Sequence, residues 1–417
     1  MTSPELAMIR MDDSCFSLRS ADRLGAIGVS DIMKTTLAVN ECRAQGRDVI
    51  ALHVGEPDFD TPEHIKAAAL RALAEGGTKY TPDTGTPSLK EAIREKFRRE
   101  NSLDYALEEI TVSNGAKQII FNAMLATLNP GDEVIIPSPH WISYAGIVAF
   151  TGAKPVFIPC PEAEGFRLTP QALEAALTPK TRWVLLNSPC NPSGAAYSAA
   201  HMRPILDVLL AHPRVWVISD DIYEHLVYDD FSFITPAALE PALKLRTLTV
   251  NGVGKAYAMT GWRIGYAGGP KPLIKAMGVV QSLSATCASS ISQAAATEAL
   301  LGPQEIVRER CQEFEWRRNF IVAALNRTPG LGCRKPEGAF FVLANCSGVM
   351  GHRMPDGKVL STDREFATFL LNEVGVAVLP GSAFGANNFV RISYATSRSG
   401  LEEASRRITQ ACALLAG

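Results

Sequence analysis

From about residue 61 onward, stretches with apolar positions at helical spacing alternate with short runs rich in Val, Ile and Leu. That rhythm predicts repeated βαβ crossovers, and with them an α/β fold whose mixed, mostly parallel sheet is flanked by helices. Candidate strands lie at 110–113, 133–137, 155–158, 183–187, 215–219 and 245–251. Most are continuously apolar, the pattern of a strand covered on both faces. Thr61-Pro62 and Thr86-Pro87 each predict a helix start, a capping hydroxyl followed by a proline at the first helical position, and Gly76-Gly77 predicts a stop. A long helical stretch from about 271 runs past 282, and another from about 291 toward 315, after which the rhythm changes. The remainder reads as a helix ending near 327, strands at 339–343, 376–378 and 389–393, and a last helix from 401, which together predict a smaller α+β unit. The expected organisation is a large domain at 61–300 and a small one at 301–417. The first 60 residues are too few for a domain of their own, and are expected to pack on the small unit and span the site between the two.

A chain of 417 residues can enclose a deep site between two compact units. Its 41 Lys and Arg nearly balance its 43 Asp and Glu, so no strong field attracts nucleic acid or anionic lipid, and a small-molecule partner is expected. The nine cysteines are scattered without a Cys-x-x-Cys pair, which fits a reducing compartment. Neither His-Glu-x-x-His nor a Cys/His cluster with ligand spacing occurs, and no catalytic metal is expected. The first twenty residues carry no apolar leader segment and no window approaches a membrane span, so a soluble, cytoplasmic protein is expected.

Nearly every polar group of note follows a predicted strand, at the edge where open α/β sheets bind ligands. In TVNGVGKAYAMTGWRIGY, 249–266, Lys255 follows a strand in a Gly-rich turn. A phosphate loop would need Gly at 249 and Ser or Thr at 256, where Thr249 and Ala256 stand, and a dinucleotide fingerprint would need Gly where Tyr257 stands. A lysine held at a strand end remains, where desolvation and a nearby cation make an amine nucleophilic. In VWVISDDIYEHLVYD, 215–229, two aspartates end an apolar strand and suit either a helix cap or an acid–base role. VLLNSPCNPSGAAY, 184–197, reads as a polar turn after a strand. VSNGAKQIIFNA, 112–123, places Asn-Gly before a helix whose free N–H groups suit a phosphate. FVRISYATS, 389–397, puts Arg391 in an apolar β-prone run, where an unpaired cation is costly.

Together these segments resemble the class I pyridoxal-phosphate aminotransferases of fold type I, in the subgroup typified by bacterial aspartate aminotransferases, over approximately residues 32–413. The resemblance implies the cofactor pyridoxal 5'-phosphate, carried by Lys255 as a Schiff base. Asp220 then pairs with the pyridine nitrogen, and Tyr223 and Asn191 with the phenolic oxygen. Arg263 and the backbone at Gly115, Ala116 and Lys117 face the phosphate. Trp141, in PSPHWISY, stacks on the ring. Arg391 grips the substrate α-carboxylate, Gly55 of ALHVGEPDFDTP faces the same carboxylate, and Phe340 of PEGAFF forms an aromatic wall. Tyr80, in KYTPDTGTPSLKEAI, reaches the neighbouring subunit's phosphate, which implies a homodimer with shared sites. Two departures stand out: Gly254, where Ser or Ala usually precedes the lysine, and QSLSATCASS at 281–290, where Thr-Ser-Asn-Pro is more usual.

The implied activity moves an α-amino group from an amino acid to a 2-oxo acid, alternately loading and unloading the cofactor. Lys117, a cation near the pocket mouth that serves either the phosphate or a second carboxylate, favours aspartate or glutamate as donor and 2-oxoglutarate as acceptor. Aromatic or broad specificity is the alternative, and a lyase or synthase on the same fold a further one. A binding protein that only senses the cofactor is disfavoured, because the lysine, aspartate and arginine are all retained.

Overall fold

A computed structural model of the protein describes residues 21–25 and 30–415. The first twenty residues, where no leader segment was expected, lie outside that range. The first strand, β1 (Ile50–Ala51), belongs to a two-stranded pair taken up below. The next seven are β2 (Ile110–Ser113), β3 (Glu133–Ser138), β4 (Lys154–Pro159), β5 (Thr181–Asn187), β6 (Trp216–Asp220), β7 (Thr247–Gly252) and β8 (Gly265–Gly268). They form one sheet in the order β2-β8-β7-β6-β5-β3-β4, in which β8 alone runs against the others.

Side-chain alternation explains the unbroken apolar runs. Val134, Ile136, Leu185, Ile218 and Val250 pack under Ile119, Ile120, Ala123 and Met124 of the helix Ala116–Thr127 and under Leu273, Ile274 and Met277 of the helix Lys271–Ser284. Ile135, Val184, Leu186 and Val217, one residue out of phase, pack on the opposite face against Met202, Ile205, Leu206 and Leu209 of the helix Ala199–Ala211. Each such side chain contributes about 1.5–3 kcal/mol on burial, so both faces resist a register slip.

All six strands expected in this sheet are present, with ends displaced by at most two residues. β8 was not expected, because its sequence, Gly-Tyr-Ala-Gly, has little β-propensity. Close approach requires those glycines: a Cβ on Gly265 would stand 2.2 Å from the Ala116 nitrogen, and one on Gly268 2.3 Å from the Tyr105 ring. Thr86 caps its helix as expected, accepting from the Leu89 N–H, with Pro87 in the first turn. Thr61 does not cap: the helix Glu63–Ala74 starts after Pro62, and the Thr61 hydroxyl donates to the Ala258 carbonyl and accepts from Trp262 Nε1, tying the chain to the loop beyond Lys255. The single stretch expected from 291 to 315 is two helices, Ser290–Leu301 and Glu305–Arg327, interrupted at Gly302-Pro303, where proline cannot continue the hydrogen-bond ladder.

Beyond the second of these helices, β9 (Gly332–Cys333), β10 (Phe341–Asn345), β12 (Leu379–Pro380) and β13 (Phe389–Ser393) form an antiparallel sheet in the order β12-β13-β10-β9. β11 (Val376–Ala377) pairs in parallel with β1. Residue 52 continues this link, since the Leu52 N–H donates to the Ala377 carbonyl and the Leu52 carbonyl accepts from the Ser393 N–H. Arg391 therefore lies on a strand fastened to the N-terminal segment. Among the described residues no helix is long and apolar enough to cross a membrane, and eight cysteines are unpaired.

Candidate active site

Strands β2, β3, β5, β6 and β7 run parallel, so the turns after them emerge at one edge and bring Gly115, Trp141, Asn191, Tyr223 and Lys255 together. β8 runs the other way, so the residue just before it, Arg263, returns to the same edge. A cavity of about 550 Å³ opens there. Its walls include eleven of the thirteen residues singled out in the sequence: Gly55, Gly115, Ala116, Lys117, Trp141, Asn191, Asp220, Tyr223, Lys255, Arg263 and Arg391.

The other two are elsewhere. Phe340, expected as a pocket wall, is fully buried behind it, stacked on Phe314 at 5.5 Å and edge-on to Tyr223 at 5.5 Å. Its neighbour Phe341 instead lies under the Arg391 guanidinium at 4.4 Å. Successive residues point to opposite sides near β10, and it is Phe341, not the Phe340 chosen from the sequence, that meets Arg391. Tyr80 is 88% exposed and outside the cavity of its own chain.

The polar groups lining the cavity leave specific valences open. Asp220 is buried at the end of β6; Tyr144 Oη donates to its Oδ2 at 2.5 Å, while Oδ1 has no partner. Burial raises its pKa to about 6 against the Tyr144 bond, the Ile222 N–H and the Lys255 charge. Asp221 does not line the cavity; the Ser219 hydroxyl donates to it at 2.5 Å. No helix follows directly, so neither aspartate is a helix cap.

Arg391 is 1% exposed and, among the described residues, pairs with no carboxylate. Its Nη1 donates to Asn191 Oδ1 at 3.1 Å and its Nη2 to the His53 carbonyl at 2.6 Å, while Nε has no partner. Burial lowers its pKa to about 10, a measure of how poorly the cation is compensated. Asn191 is itself oriented by Asn187, whose Oδ1 accepts from the Asn191 N–H at 2.9 Å and whose Nδ2 donates to the Asp220 carbonyl at 2.8 Å.

Lys255 Nζ donates to the Gly55 carbonyl, with the rings of Tyr223 and Phe340 5.9 and 5.6 Å away. Burial lowers its pKa to about 8; Glu56 opposes the shift, and Arg391 and Arg263 add to it. Burial also raises the pKa of the Tyr223 phenol, opposed by Arg391.

The helix Ala116–Thr127 starts at Gly115 with φ +89 and no side-chain cap. Among the described residues the N–H groups of Ala116 and Lys117 have no acceptor. Arg263 lies over this end, its Nη2 donating to the Asn114 carbonyl at 3.2 Å, and a Cβ on Gly115 would stand 2.4 Å from that nitrogen. Glycine thus keeps open a cradle of two free N–H groups and a guanidinium, suited to one anion. Lys117 Nζ lies over the Trp141 ring at 4.9 Å, and burial, then Arg263, lower its pKa.

Three features escaped the sequence reading. Tyr144 stands one helical turn after Trp141 with the rings edge-on at 5.2 Å, a spacing that offers a signal in retrospect. Ser30, Ile32, Met33 and Thr36, from the start of the helix Asp31–Ala44, also line the cavity. So does Met259, beyond Lys255. The only group among the described residues with three candidate metal ligands, Glu100, Glu224 and His225, lies outside the cavity, and Lys96 pairs with both of its carboxylates.

This donor set fits pyridoxal phosphate. The open Asp220 Oδ1 suits a protonated ring nitrogen, and the cradle at Gly115 and Arg263 suits a phosphate. The chain belongs to the class I and II aminotransferases, whose family model matches residues 47–408, and it is a pyridoxal-phosphate-dependent aminotransferase of fold type I. It is 61% identical over 392 residues to the aspartate aminotransferase of Rhizobium meliloti (strain 1021), covering 94% of this chain and 96% of that one. A crystal structure of the aspartate aminotransferase from Rhizobium meliloti superposes with a TM-score of 0.94 at 60% identity, over 96% of this chain and 100% of that one. The Thermus thermophilus aspartate aminotransferase solved with maleate gives a TM-score of 0.87 at 42% identity, over 95% and 100% of the two chains.

In the cofactor-free protein, Lys255 is expected to react with an amine-directed reagent at a rate that rises with pH and levels off above about 8, because burial makes the neutral amine the favoured form at lower pH than in water. Peptide-resolved labelling across pH 6–11 checks this; a midpoint near the usual 10.5 contradicts it.

Proposed function

We propose that this aminotransferase uses aspartate or glutamate as amino donor, with 2-oxoglutarate the acceptor for aspartate and the oxo acid left by glutamate, in a site lying between a large unit at 61–300 and a small unit at 301–417. The observation that carries the reading is Arg391: a buried guanidinium with open donor capacity and, among the described residues, no carboxylate partner calls for a carboxylate from outside the chain. The relatives named aspartate aminotransferase, one solved with the dicarboxylate maleate, support the acidic substrate. Lys117 is the cation for the second carboxylate. Ile32 and Met33, which give the cavity an apolar wall, favour an aromatic donor as the second reading.

Lys255 would carry the cofactor; Asp220 would hold its ring nitrogen, Tyr223 and Asn191 its phenolic oxygen, Trp141 its ring face, and Arg263 with the Ala116 and Lys117 N–H groups its phosphate. When bound, pyridoxal phosphate supplies an aldehyde carbon and a ring that draws electrons from the substrate Cα. Arg391, with Gly55 beside it, orients the α-carboxylate and so fixes which Cα bond faces Lys255. The free Lys255 Nζ would be the base that takes the Cα proton, a role suited to an amine whose pKa burial lowers to about 8. Asn187 and Tyr144 keep Asn191 and Asp220 in place. The unpaired cysteines support a reducing, cytoplasmic setting.

The native protein is expected to show a cofactor absorption band that an amino donor abolishes and an oxo acid restores, and Lys255→Ala is expected to lose this cycle. Lys117→Ala is expected to lower kcat/KM for aspartate about 10-fold or more while changing those for phenylalanine and alanine less than about 3-fold, the scale of one charge-assisted contact. Equal losses on all three donors would mean that Lys117 serves the cofactor alone.

The reading includes a homodimer in which Tyr80 completes the partner's phosphate site. Its support is the exposure of Tyr80, three residues before Asp83, whose carbonyl accepts from Gln281 of the helix Lys271–Ser284, which also exposes Leu283 (85%) and Val279 (57%), an apolar face of the kind a second copy covers. Mixed refolding of inactive Tyr80→Phe and Lys255→Ala chains is expected to restore some activity, because one native site forms per mixed dimer. A monomer in sedimentation, or no recovery from two variants each shown to be inactive, rejects the shared site.

A further inference from the structure

We infer that His53 and Thr36 are positioning residues for substrate binding: they fasten the helix wall of the cavity to Arg391 and so set the distance between the carboxylate grip and the wall that meets the substrate side chain. The inference rests on the proposed role of Arg391 and names what orients it.

Ile32, Met33 and Thr36 line the cavity at spacings of three and four residues, so one face of the helix Asp31–Ala44 forms its wall. That helix has little core of its own. Only Val39 and Cys42 are buried, in a small cluster with Val49, Leu371 and Ala377. A bidentate pair from Arg364 to Asp31 holds its first turn from the solvent side, and Thr36 holds it from the cavity side.

The hydrogen-bond directions fix the His53 tautomer. Thr36 Oγ1 donates to the Ile32 carbonyl at 2.8 Å, which uses its only proton, so its lone pairs meet His53 Nε2 at 3.2 Å. Nε2 must therefore carry the ring hydrogen, and Nδ1 is left bare and buried, without a partner. His53 is 2% exposed, and burial, with Arg391 and Arg43 nearby, lowers its pKa to about 4, so the ring is neutral and keeps this tautomer at neutral pH.

The same residue grips the arginine from its backbone. The His53 carbonyl accepts from Arg391 Nη2 at 2.6 Å, and the preceding residue is locked between β11 and β13 by two backbone bonds. An unbroken path thus runs from the Arg391 guanidinium through the His53 main chain and ring to Thr36 and the wall at Ile32 and Met33. His53 and Thr36 touch no reacting atom in the proposed mechanism, so their effect falls on substrate affinity and not on the chemical step.

The test uses the holoenzyme and maleate as a dicarboxylate without an amino group, its binding followed by the absorbance of the bound cofactor. Thr36→Val, which keeps the side-chain shape and removes the acceptor, is expected to raise the maleate Kd and the KM for aspartate about 5- to 10-fold with kcat within about 2-fold, the scale of one buried hydrogen bond. Thr36→Ser is expected to restore native values. The double variant with His53→Leu is expected to bind no worse than the weaker single, because both break one path. A Thr36→Val Kd within about 2-fold of native, or single effects that multiply in the double, overturns the inference. Arg391→Lys separates it from the reading beneath: maleate binding that survives Arg391→Lys rejects the carboxylate grip itself, whereas binding lost there and kept in Thr36→Val rejects only the positioning path.

Discussion

The architecture turns on the burial of ionisable groups that their own chain leaves incompletely paired. Asp220 keeps one oxygen without a donor, Arg391 keeps Nε without an acceptor, and Lys255 is held where burial disfavours its charge. Burying such groups costs several kcal/mol each unless a partner arrives, so the rest of the fold must offset that cost in the free protein. The double-faced core of the seven-stranded sheet does so. Its strands are apolar on both sides, and the incompletely paired charges are confined to the edge where the strands end.

That confinement is topological. Five of the parallel strands end in the turns that carry Gly115, Trp141, Asn191, Tyr223 and Lys255, and the antiparallel β8 brings Arg263 to the same edge from the other direction. Arg391 comes from a separate sheet, held in register by the pairing of β1 with β11 and by the backbone bonds of Leu52. The site is thus assembled from two sheets, and the segment around residues 50–55 is one strap between them, beside the backbone bonds of Gly338 to Gly194 and of Ala339 to Leu226. The same segment supplies Gly55, whose carbonyl takes the Lys255 ammonium, and His53, whose carbonyl takes the Arg391 guanidinium.

Much of this was legible in the sequence because covered parallel strands write long apolar runs, and polar residues directly after them mark the ligand edge. The resemblance then gave each polar residue a role that spacing alone left open. β8 was not legible, since Gly265 and Gly268 serve close packing and carry no strand signal. Phe340 was chosen over Phe341 from the motif, and only the strand fixed that Phe341 is the one under Arg391. Thr61 looked like a cap and proved to be a tertiary contact, because a hydroxyl before proline announces a turn without saying which partner it takes. The N-terminal segment was expected at the site, but no residue of the helix Asp31–Ala44 was named for it, because its pattern is weakly amphipathic: it shields a site and covers little core.

The cost in stability of holding charge in the site until the cofactor binds is read most directly at Asp220. Its pKa is raised from the ordinary 3.8 to about 6, so the folded protein favours the protonated form. The stability penalty is absent below pH 3.8 and complete above about 6. Urea unfolding of the cofactor-free protein and of Asp220→Asn, compared from pH 4 to 8, is the decisive measurement. The parent is expected to lose about 1–3 kcal/mol relative to the variant as pH rises through that window, at about 1.4 kcal/mol per pH unit between the two pKa values. Saturating pyridoxal phosphate is then expected to stabilise the parent more than the variant at pH 8. A pH-independent difference without cofactor, or equal stabilisation of both proteins by it, would contradict the claim.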